Sequence, residues 1–363
     1  MADKDASSMR DDAIRDDALA GRRASAGPHL VSPAGSGAGV TLTDVAREAG
    51  VGESTASRVL RSHGSFSSKT RASVLEAAAR LGYVPNRIAG TLASTGSKLV
   101  GIIVPSLANI VFPDLLRGAN SVLGKAGFQS VIGVTDYDLV GEEALIASLL
   151  SWRPAGLLVA GLEHTPRADA MLRGAGIRII EMLDTDGAGI DMVVGFSNRE
   201  AGRASARHLI TRGYRRIGYV GHDLALDLRA AKRFEGFRST LAEAGLQVAG
   251  QVIASAPSSI EAGRDGLARI LSETRDLDAV YFSNDDMAIG GYFLCLSRGI
   301  GIPGELALFG HNGLEVARCA PQPLSTIRTP RVEVGEASAR LISSDGPPAV
   351  VTLDFELIEG ATT

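Results

Sequence analysis

Cysteine is scarce in this sequence: Cys295 and Cys319 are the only two among 363 residues. That number is too small for a disulfide framework, and in a cytosolic chain the two read as buried thiols rather than a bridge. Long hydrophobic runs are missing as well. No uninterrupted apolar stretch approaches about 18 residues, which excludes a transmembrane helix. The opening segment, MADKDASSMRDDAIRDDALAGRR, has no apolar h-region, so no secretory leader is expected. The expected location is the cytoplasm. Six histidines (His29, His63, His164, His208, His222, His311) show no metal-ligand spacing. A P-loop lysine motif, GxSxG and HExxH are all absent, so no catalytic residue, metal or cofactor is expected. Gly299-Ile-Gly301-Ile-Pro303-Gly304 formally matches GxGxxG. It follows a helical pattern rather than a strand, and Pro303 spoils a helix start, so it reads as a loop.

The composition is otherwise that of a globular protein, with 45% apolar and 21% charged residues. The length allows two or three domains. A net charge of −4 conceals an asymmetry. Between Val40 and Lys98, eight Lys/Arg face four Asp/Glu; residues 1–39 hold five against six, and the rest holds 24 against 31. A basic small module on an acidic large one points to a polyanion at one end, a merely solvated surface being the alternative.

Residues 1–39 lack an apolar period and read as a disordered extension. A compact helical module follows. Within it, Leu42–Ala49 puts Val45, Ala46 and Ala49 on one helical face. Gly50 can take the positive φ of a tight turn, and Thr55–Leu60 begins a second helix with Ala56, Val59 and Leu60 inward. That is helix-turn-helix spacing, whose second helix can enter a DNA major groove. Ser67 is a suitable N-cap for a third helix, with Val74, Leu75, Ala78 and Leu81 as its apolar stripe and Gly82 as its stop. A generic helical bundle is the alternative.

From Leu99 onward, short strand-like runs alternate with amphipathic ones. The strand-like runs are Leu99–Pro105, Gln129–Val134, Gly156–Ala160, Ile177–Glu181, Met192–Gly195, Ile217–Val220, Ala279–Phe282 and Leu306–Phe309. Helical patterns lie between them at Asp114–Ala126, Arg199–Thr211, Arg229–Ala244 and Asp285–Arg298. Such alternation predicts α/β architecture with parallel sheets, and about 265 residues are better divided into two subdomains with a cleft between them. Asp285 and Asp286 resemble a paired-acid site but read as caps of the following helix.

The segment from Thr41 to about Pro105, beginning TLTDVAREAGVGESTASRVL and running through YVPNRIAGTLAS, resembles the LacI/GalR family of bacterial transcription regulators. The remaining pattern fits that family's periplasmic-binding-protein-like core. PSLANIVFPDLLRG (105–118), LLSWRPAGLLV (149–159), HTPR (164–167), VGFSN (194–198), SNDDMAIG (283–290) and TPR (329–331) are similar to gluconate-utilisation repressors within it. The resemblance implies a helix-turn-helix domain at 40–84, a hinge helix and linker at 85–97, and a core at 98–363. It divides that core into about 98–196 with 326–340, and 197–325 with 341–363.

By the same resemblance, Glu53, Ser54 and Arg58 face base edges, where Arg58 suits a guanine and Glu53 a cytosine amine. Thr41, Ser57, Ser67, Thr70, Arg71, Tyr83 and Asn86 fall at phosphate-contacting positions. Thr55, Arg61 and Ala89 complete the implied DNA-facing set. Leu92 matches a wedge that opens a central base step, packing against Ile88 and Ala89 being the alternative. Two departures stand out. Gly52 replaces the usual Ser N-cap, and Gly90 lies inside the hinge helix at a cost of about 1 kcal/mol. The hinge is expected to fold only on the operator.

For an effector the resemblance implies Pro105, Asn109, Phe112, Asp184 and Ser258, with Arg229, Arg233, Asn284 and Asn312. Arg229 and Arg233 share one helical face at i, i+4; a solvated helix charge is the alternative for Arg233. Asp184 could hold sugar hydroxyls or serve a turn. Asn312 stands where relatives that bind neutral ligands carry Asp. A neutral amide does not repel a carboxylate in a low-dielectric cleft, which favours a sugar acid such as gluconate. The implied protein is a homodimeric repressor of double-stranded operator DNA, with no room after LDFELIEG for a tetramerising tail. Effector closes the cleft, shifts a dimer interface near 114–126 and releases the hinge helices. A periplasmic sugar-binding protein and a sugar-acid enzyme with an appended DNA module are the rivals.

Overall fold

The computed structural model describes residues 39–61, 64–84 and 97–363. A break between Asn86 and Arg87 separates two compact units. The expectations for 1–38 and for the hinge, including Asn86, Ala89, Gly90 and Leu92, lie outside the described residues.

In the first unit, Thr41 caps α1 (Leu42–Ala49) through a reciprocal bond pair with Asp44. Gly50 ends it in the left-handed region at φ +66°. That single residue turns the chain directly into α2 (Glu53–Leu60), and only glycine takes such a φ without strain. Gly52 at the N-cap of α2 gives no side-chain bond, so one orphan amide of that helix lacks its usual partner. Ser67 caps α3 (Ser68–Leu81) by accepting from the Thr70 amide at 3.1 Å. Val45, Ala46, Ala56, Val59, Val74, Ala77 and Ala78 form the core where the three helices meet. Leu75 does not belong to it and is 48% exposed. The i, i+3, i+4 rule selects Ala77 and Ala78 after Val74, turning the next position outward.

The second unit holds two six-stranded sheets. The first contains β1 (Leu99–Val104), β2 (Gln129–Val134), β3 (Gly156–Ala160), β4 (Arg178–Met182), β5 (Met192–Gly195) and β11 (Ala349–Thr352) in the order β11-β5-β4-β3-β1-β2, all parallel. The second contains β6 (Ile217–His222), β7 (Gly250–Ala254), β8 (Ala279–Phe282), β9 (Ala307–Asn312), β10 (Ser325–Arg328) and β12 (Glu356–Ile358) in the order β12-β10-β9-β8-β6-β7. Only β12 runs antiparallel there. Helices α4 (Val111–Leu123), α5 (Leu139–Ser151), α6 (Pro166–Arg173) and α12 (Arg331–Leu341) cover the first sheet. The second is covered by α7 (Asn198–Thr211), α8 (Leu228–Glu243), α9 (Ile260–Glu273) and α10 (Asp285–Arg298), with the short α11 (Glu315–Arg318) beside it. Strands buried on both faces read as continuous apolar runs, which is why β1 and β3 are so plain in the sequence.

Sheet membership moves the expected subdomain boundaries. β10 belongs to the second sheet, α12 packs on α4 of the first subdomain, and β11 extends the first sheet. The chain therefore crosses near 196, 329 and 354, rather than at 326 and 341. Cys319 is exposed, not buried, while Cys295 is buried and both are free. Among the described residues no helix is long and apolar enough to cross a membrane.

Three helix pairs approach so closely that each uses glycine from both sides. A Cβ on Gly202 of α7 would lie 1.9 Å from the Arg233 carbonyl oxygen of α8, and one on Gly236 of α8 would lie 2.0 Å from that of Arg199. The pairs α4–α12 and α9–α10 are built the same way, through Gly118 with Gly335 and Gly263 with Gly290.

The HTPR run carries a buried charge cluster. His164 Nδ1 meets Glu142 at 2.6 Å and its Nε2 meets Glu181 at 3.3 Å. Burial acts to lower the imidazole pKa, but bonds to the two carboxylates outweigh it and raise it to about 9. A raised histidine pKa stabilises the fold fully below the unfolded value of 6.5, and that contribution is lost as pH rises through about 9. We expect His164→Gln to lose on the order of 2 kcal/mol at pH 6.5, with the gap to the wild type closing by pH 10. Urea midpoints across that range check it; a gap that does not change with pH rules out an imidazolium.

Candidate functional site

Along α2, Glu53, Ser54, Arg58 and Arg61 are exposed and Ser57 is half-buried, opposite the buried Ala56 and Val59. Spacing of 3.6 residues per turn puts these polar positions on one outward strip. Thr55 is half-buried at its edge. Arg61 is already engaged, donating to the Ser57 carbonyl and hydroxyl. The Arg58 guanidinium stands 5.4 Å from the centre of the Phe66 ring. Gly64 leaves it room: a Cβ there would lie 2.8 Å from Arg58 Nη2. Thr41 and Ser67 cap helices, and the Ser67 and Thr70 hydroxyls bond at 2.8 Å. Arg71 is exposed and Tyr83 half-buried.

In the second unit, the carboxyl ends of both sheets converge on one cavity, as ligand sites in open α/β sheets do. Six of the nine expected effector residues line it: Asn109, Phe112, Arg229, Arg233, Asn284 and Asn312. The other three do not. Pro105 is buried just past β1. Asp184, fully buried, is paired with Lys232 of α8 and accepts from the Asp186 amide, so its oxygens are taken. The Ser258 hydroxyl donates to the Asp286 carboxylate at 2.7 Å.

Asp285 and Asp286 lie in the first turn of α10, where Asp286 accepts from the Met287 amide at 2.8 Å, but neither is the N-cap. The N-cap is Asn284, whose side chain makes no capping bond. Asp285 instead accepts from the Thr326 hydroxyl at 2.6 Å and the Leu314 amide at 2.7 Å, tying α10 to β10 and to the loop after β9. Complete burial raises its pKa to about 6.

Arg233 is 6% exposed. It donates to Asn198 Oδ1 at 3.1 Å and to the Ser283 carbonyl at 3.4 Å, both neutral, and its Nε has no partner. No carboxylate makes an ion pair with it among the described residues. Arg229 differs: its guanidinium is 5.6 Å from the Phe112 ring centre and 3.7 Å from Asp227 Oδ1. Burial opposes ionisation of Asp227, but Arg229 and His222 prevail and hold its pKa below the usual range.

The sequence reading missed Asn198, Asp227 and His311 as lining residues. Asn198 ends the VGFSN run and His311 directly precedes Asn312, yet a single polar residue carries no periodic signal. β9 runs three residues further than expected, to Asn312, which brings His311 to the cavity. Asn312 itself has φ +112°, a strained conformation for a residue with a Cβ. Its amide nitrogen donates to Asn284 Oδ1 at 3.0 Å, leaving the Asn284 nitrogen unpartnered.

Comparison with known proteins agrees with both halves. Residues 41–86 match the family described as "Bacterial regulatory proteins, lacI family". Residues 97–348 match "Periplasmic binding proteins and sugar binding domain of LacI family". The HTH-type transcriptional regulator GntR of Pseudomonas aeruginosa is 38% identical over 330 residues, covering 89% of this chain and 95% of that protein. A LacI family transcriptional regulator from Silicibacter pomeroyi is 44% identical with a TM-score of 0.85, over 89% of this chain and 99% of the other. The lac repressor dimer bound to operator is 25% identical with a TM-score of 0.75, over 89% and 98%. Headpiece, twin-sheet core and relatives agree, and the chain belongs to the LacI family of DNA-binding transcriptional regulators.

Proposed function

We propose that this regulator is a homodimeric repressor whose grip on its operator is set by a sugar acid held in the cavity between the two sheets. Arg233 carries the reading. A buried guanidinium bonded only to neutral acceptors is costly unless an anion completes it. A carboxylate does so, and the amides of Asn284 and Asn312 suit the hydroxyls of a polyol. Burial of Arg229 and Arg233 in one cavity argues against the solvated-charge alternative. Asp184, engaged by Lys232, no longer serves as a hydroxyl ligand in this reading.

On the DNA side, Glu53, Ser54 and Arg58 read bases from the outward strip of α2, and two headpieces address a two-fold operator. The lac repressor dimer on its operator supports that arrangement. Exposed apolar side chains at Leu107, Ile110, Ile132 and Val134 near the edge of the first sheet offer surface for a second copy. Arg58→Lys keeps the charge and loses the planar fork. It is expected to weaken operator binding by about 1–3 kcal/mol. Phe66→Leu, which removes the ring beside that guanidinium, is expected to cost about 0.5–1 kcal/mol. Gel shifts on selected operators measure both, and equal binding by Arg58→Lys and wild type removes Arg58 from base reading.

The test of the whole is a gel shift on the DNA upstream of the protein's own gene across sugar acids and neutral sugars, with calorimetry alongside. Sugar acids should bind and lower operator affinity. Binding of glucose or ribose without any sugar acid overturns the anionic effector. Affinity should also fall steeply with salt through counterion release.

A further inference from the structure

We infer that His311 reads a hydroxyl of the effector through its ring nitrogens and so selects polyhydroxylated acids over plain carboxylates. The inference rests on the cavity taking a sugar acid. His311 is the penultimate residue of β9, beside the strained Asn312; it lines the cavity and is fully buried. Neither of its nitrogens has a hydrogen-bond partner.

Nine buried side-chain polar atoms lack partners among the described residues, and four of them belong to cavity-lining residues: Arg233 Nε, Asn284 Nδ2 and both nitrogens of His311. Burial, with Arg233 and Arg331 nearby, holds the imidazole pKa well below 6.5, so the ring is neutral. A neutral imidazole has one N–H and one bare nitrogen. The four atoms therefore comprise three donors and a single acceptor, and that acceptor is on His311. A carboxylate answers donors only. Filling the bare nitrogen requires a ligand that gives a proton, which a hydroxyl does while also accepting from a donor. A buried acceptor left empty is unfavourable, so a ligand without hydroxyls binds poorly even when its charge meets Arg233.

Calorimetry on the full-length protein with three probes tests this: gluconate, hexanoate (the same carbon chain and carboxylate without hydroxyls) and sorbitol (the hydroxyls without the carboxylate). His311→Phe keeps a ring and loses both nitrogens. It should weaken gluconate by roughly 10- to 100-fold, while hexanoate, no longer leaving an acceptor empty, should bind at least as well as to the wild type. His311→Gln, which again offers a donor and an acceptor, should recover part of the gluconate loss. Equal losses for gluconate and hexanoate, or no loss with His311→Phe, overturn the assignment. A wild type that binds sorbitol but not gluconate overturns the sugar-acid reading instead, and His311→Phe is then judged on sorbitol. A wild type that binds neither hydroxylated probe overturns both.

Discussion

Arg233→Met abolishes the response to sugar acids and barely moves the melting temperature. The side chain is buried, and its direct partners are the neutral oxygens of Asn198 and Ser283. Removing it forfeits two charged hydrogen bonds and also relieves a buried charge that no carboxylate touches. These effects oppose each other, so a shift within about 3 °C is expected. Effector binding has no such offset: losing one side of a buried charge-assisted contact costs about 2–5 kcal/mol, roughly 30-fold or more. Arg331→Met is the contrasting variant. Arg331 reaches the buried Asp114 through Nε at 3.0 Å and Nη2 at 2.9 Å, and also donates to the Asn312 carbonyl. Its loss leaves the largely buried Asp114 with only the exposed Arg117, 3.0 Å from its other oxygen, as a cation, and up to about 3–5 kcal/mol of stability should go with it. Melting curves and calorimetry on the two variants decide the matter. If Arg233→Met destabilises as much as Arg331→Met and still binds sugar acids, the site has been misplaced.

Gly202→Ala is expected to cost about 3 kcal/mol or more of stability and to remove effector binding with it. The added methyl would sit 1.9 Å from the carbonyl oxygen of Arg233, a backbone atom that no rotamer change can move. Helices α7 and α8 must therefore separate, and close-packed interiors resist that. Arg233 sits at the contact itself, so its guanidinium leaves the position it holds beside Asn198 and Ser283. Gly304→Ala is the control, because its Cβ would meet nothing within 4 Å; it should stay within about 0.5 kcal/mol of the wild type. Urea midpoints suffice as the measurement. A Gly202→Ala protein that unfolds with the wild type would show that the helices slide freely.

Much of the fold was legible because periodicity is a local property. The caps Thr41 and Ser67, the turn at Gly50 and the buried runs of β1 and β3 each announce themselves within a few residues. Short edge strands such as β11 and β12 do not. AVVT and ELI are too brief to show a period, and only pairing with β5 and β10 makes them strands. The same limit explains the displaced subdomain boundaries: a crossover depends on which sheet accepts a strand, and neighbours in sequence do not decide that. Leu75 was misassigned because an apolar residue beside a buried one looks buried until the helix rotation is set by its partners.

The candidate site divides along the same line. Arg229 and Arg233 were recognisable through the family resemblance, with their i, i+4 spacing in support, and Asn312 through the residue it replaces. Asp184 and Ser258 have the right chemistry, yet Lys232 and Asp286 claim them, and both competitors are remote in sequence. Asn198, Asp227 and His311 became visible only once the carboxyl ends of both sheets were brought to one cavity.

What this chain settles by itself is the class of its elements: three helices, the first and third with side-chain caps, then alternating strands and helices, because hydrogen bonding along a helix and side-chain alternation are dictated within a turn or two. Only the folded whole decided which charges are paired and which are left open. Burial removes water from every group at once, and whether a carboxylate lies beside a guanidinium is then a matter of distances across the chain rather than along it.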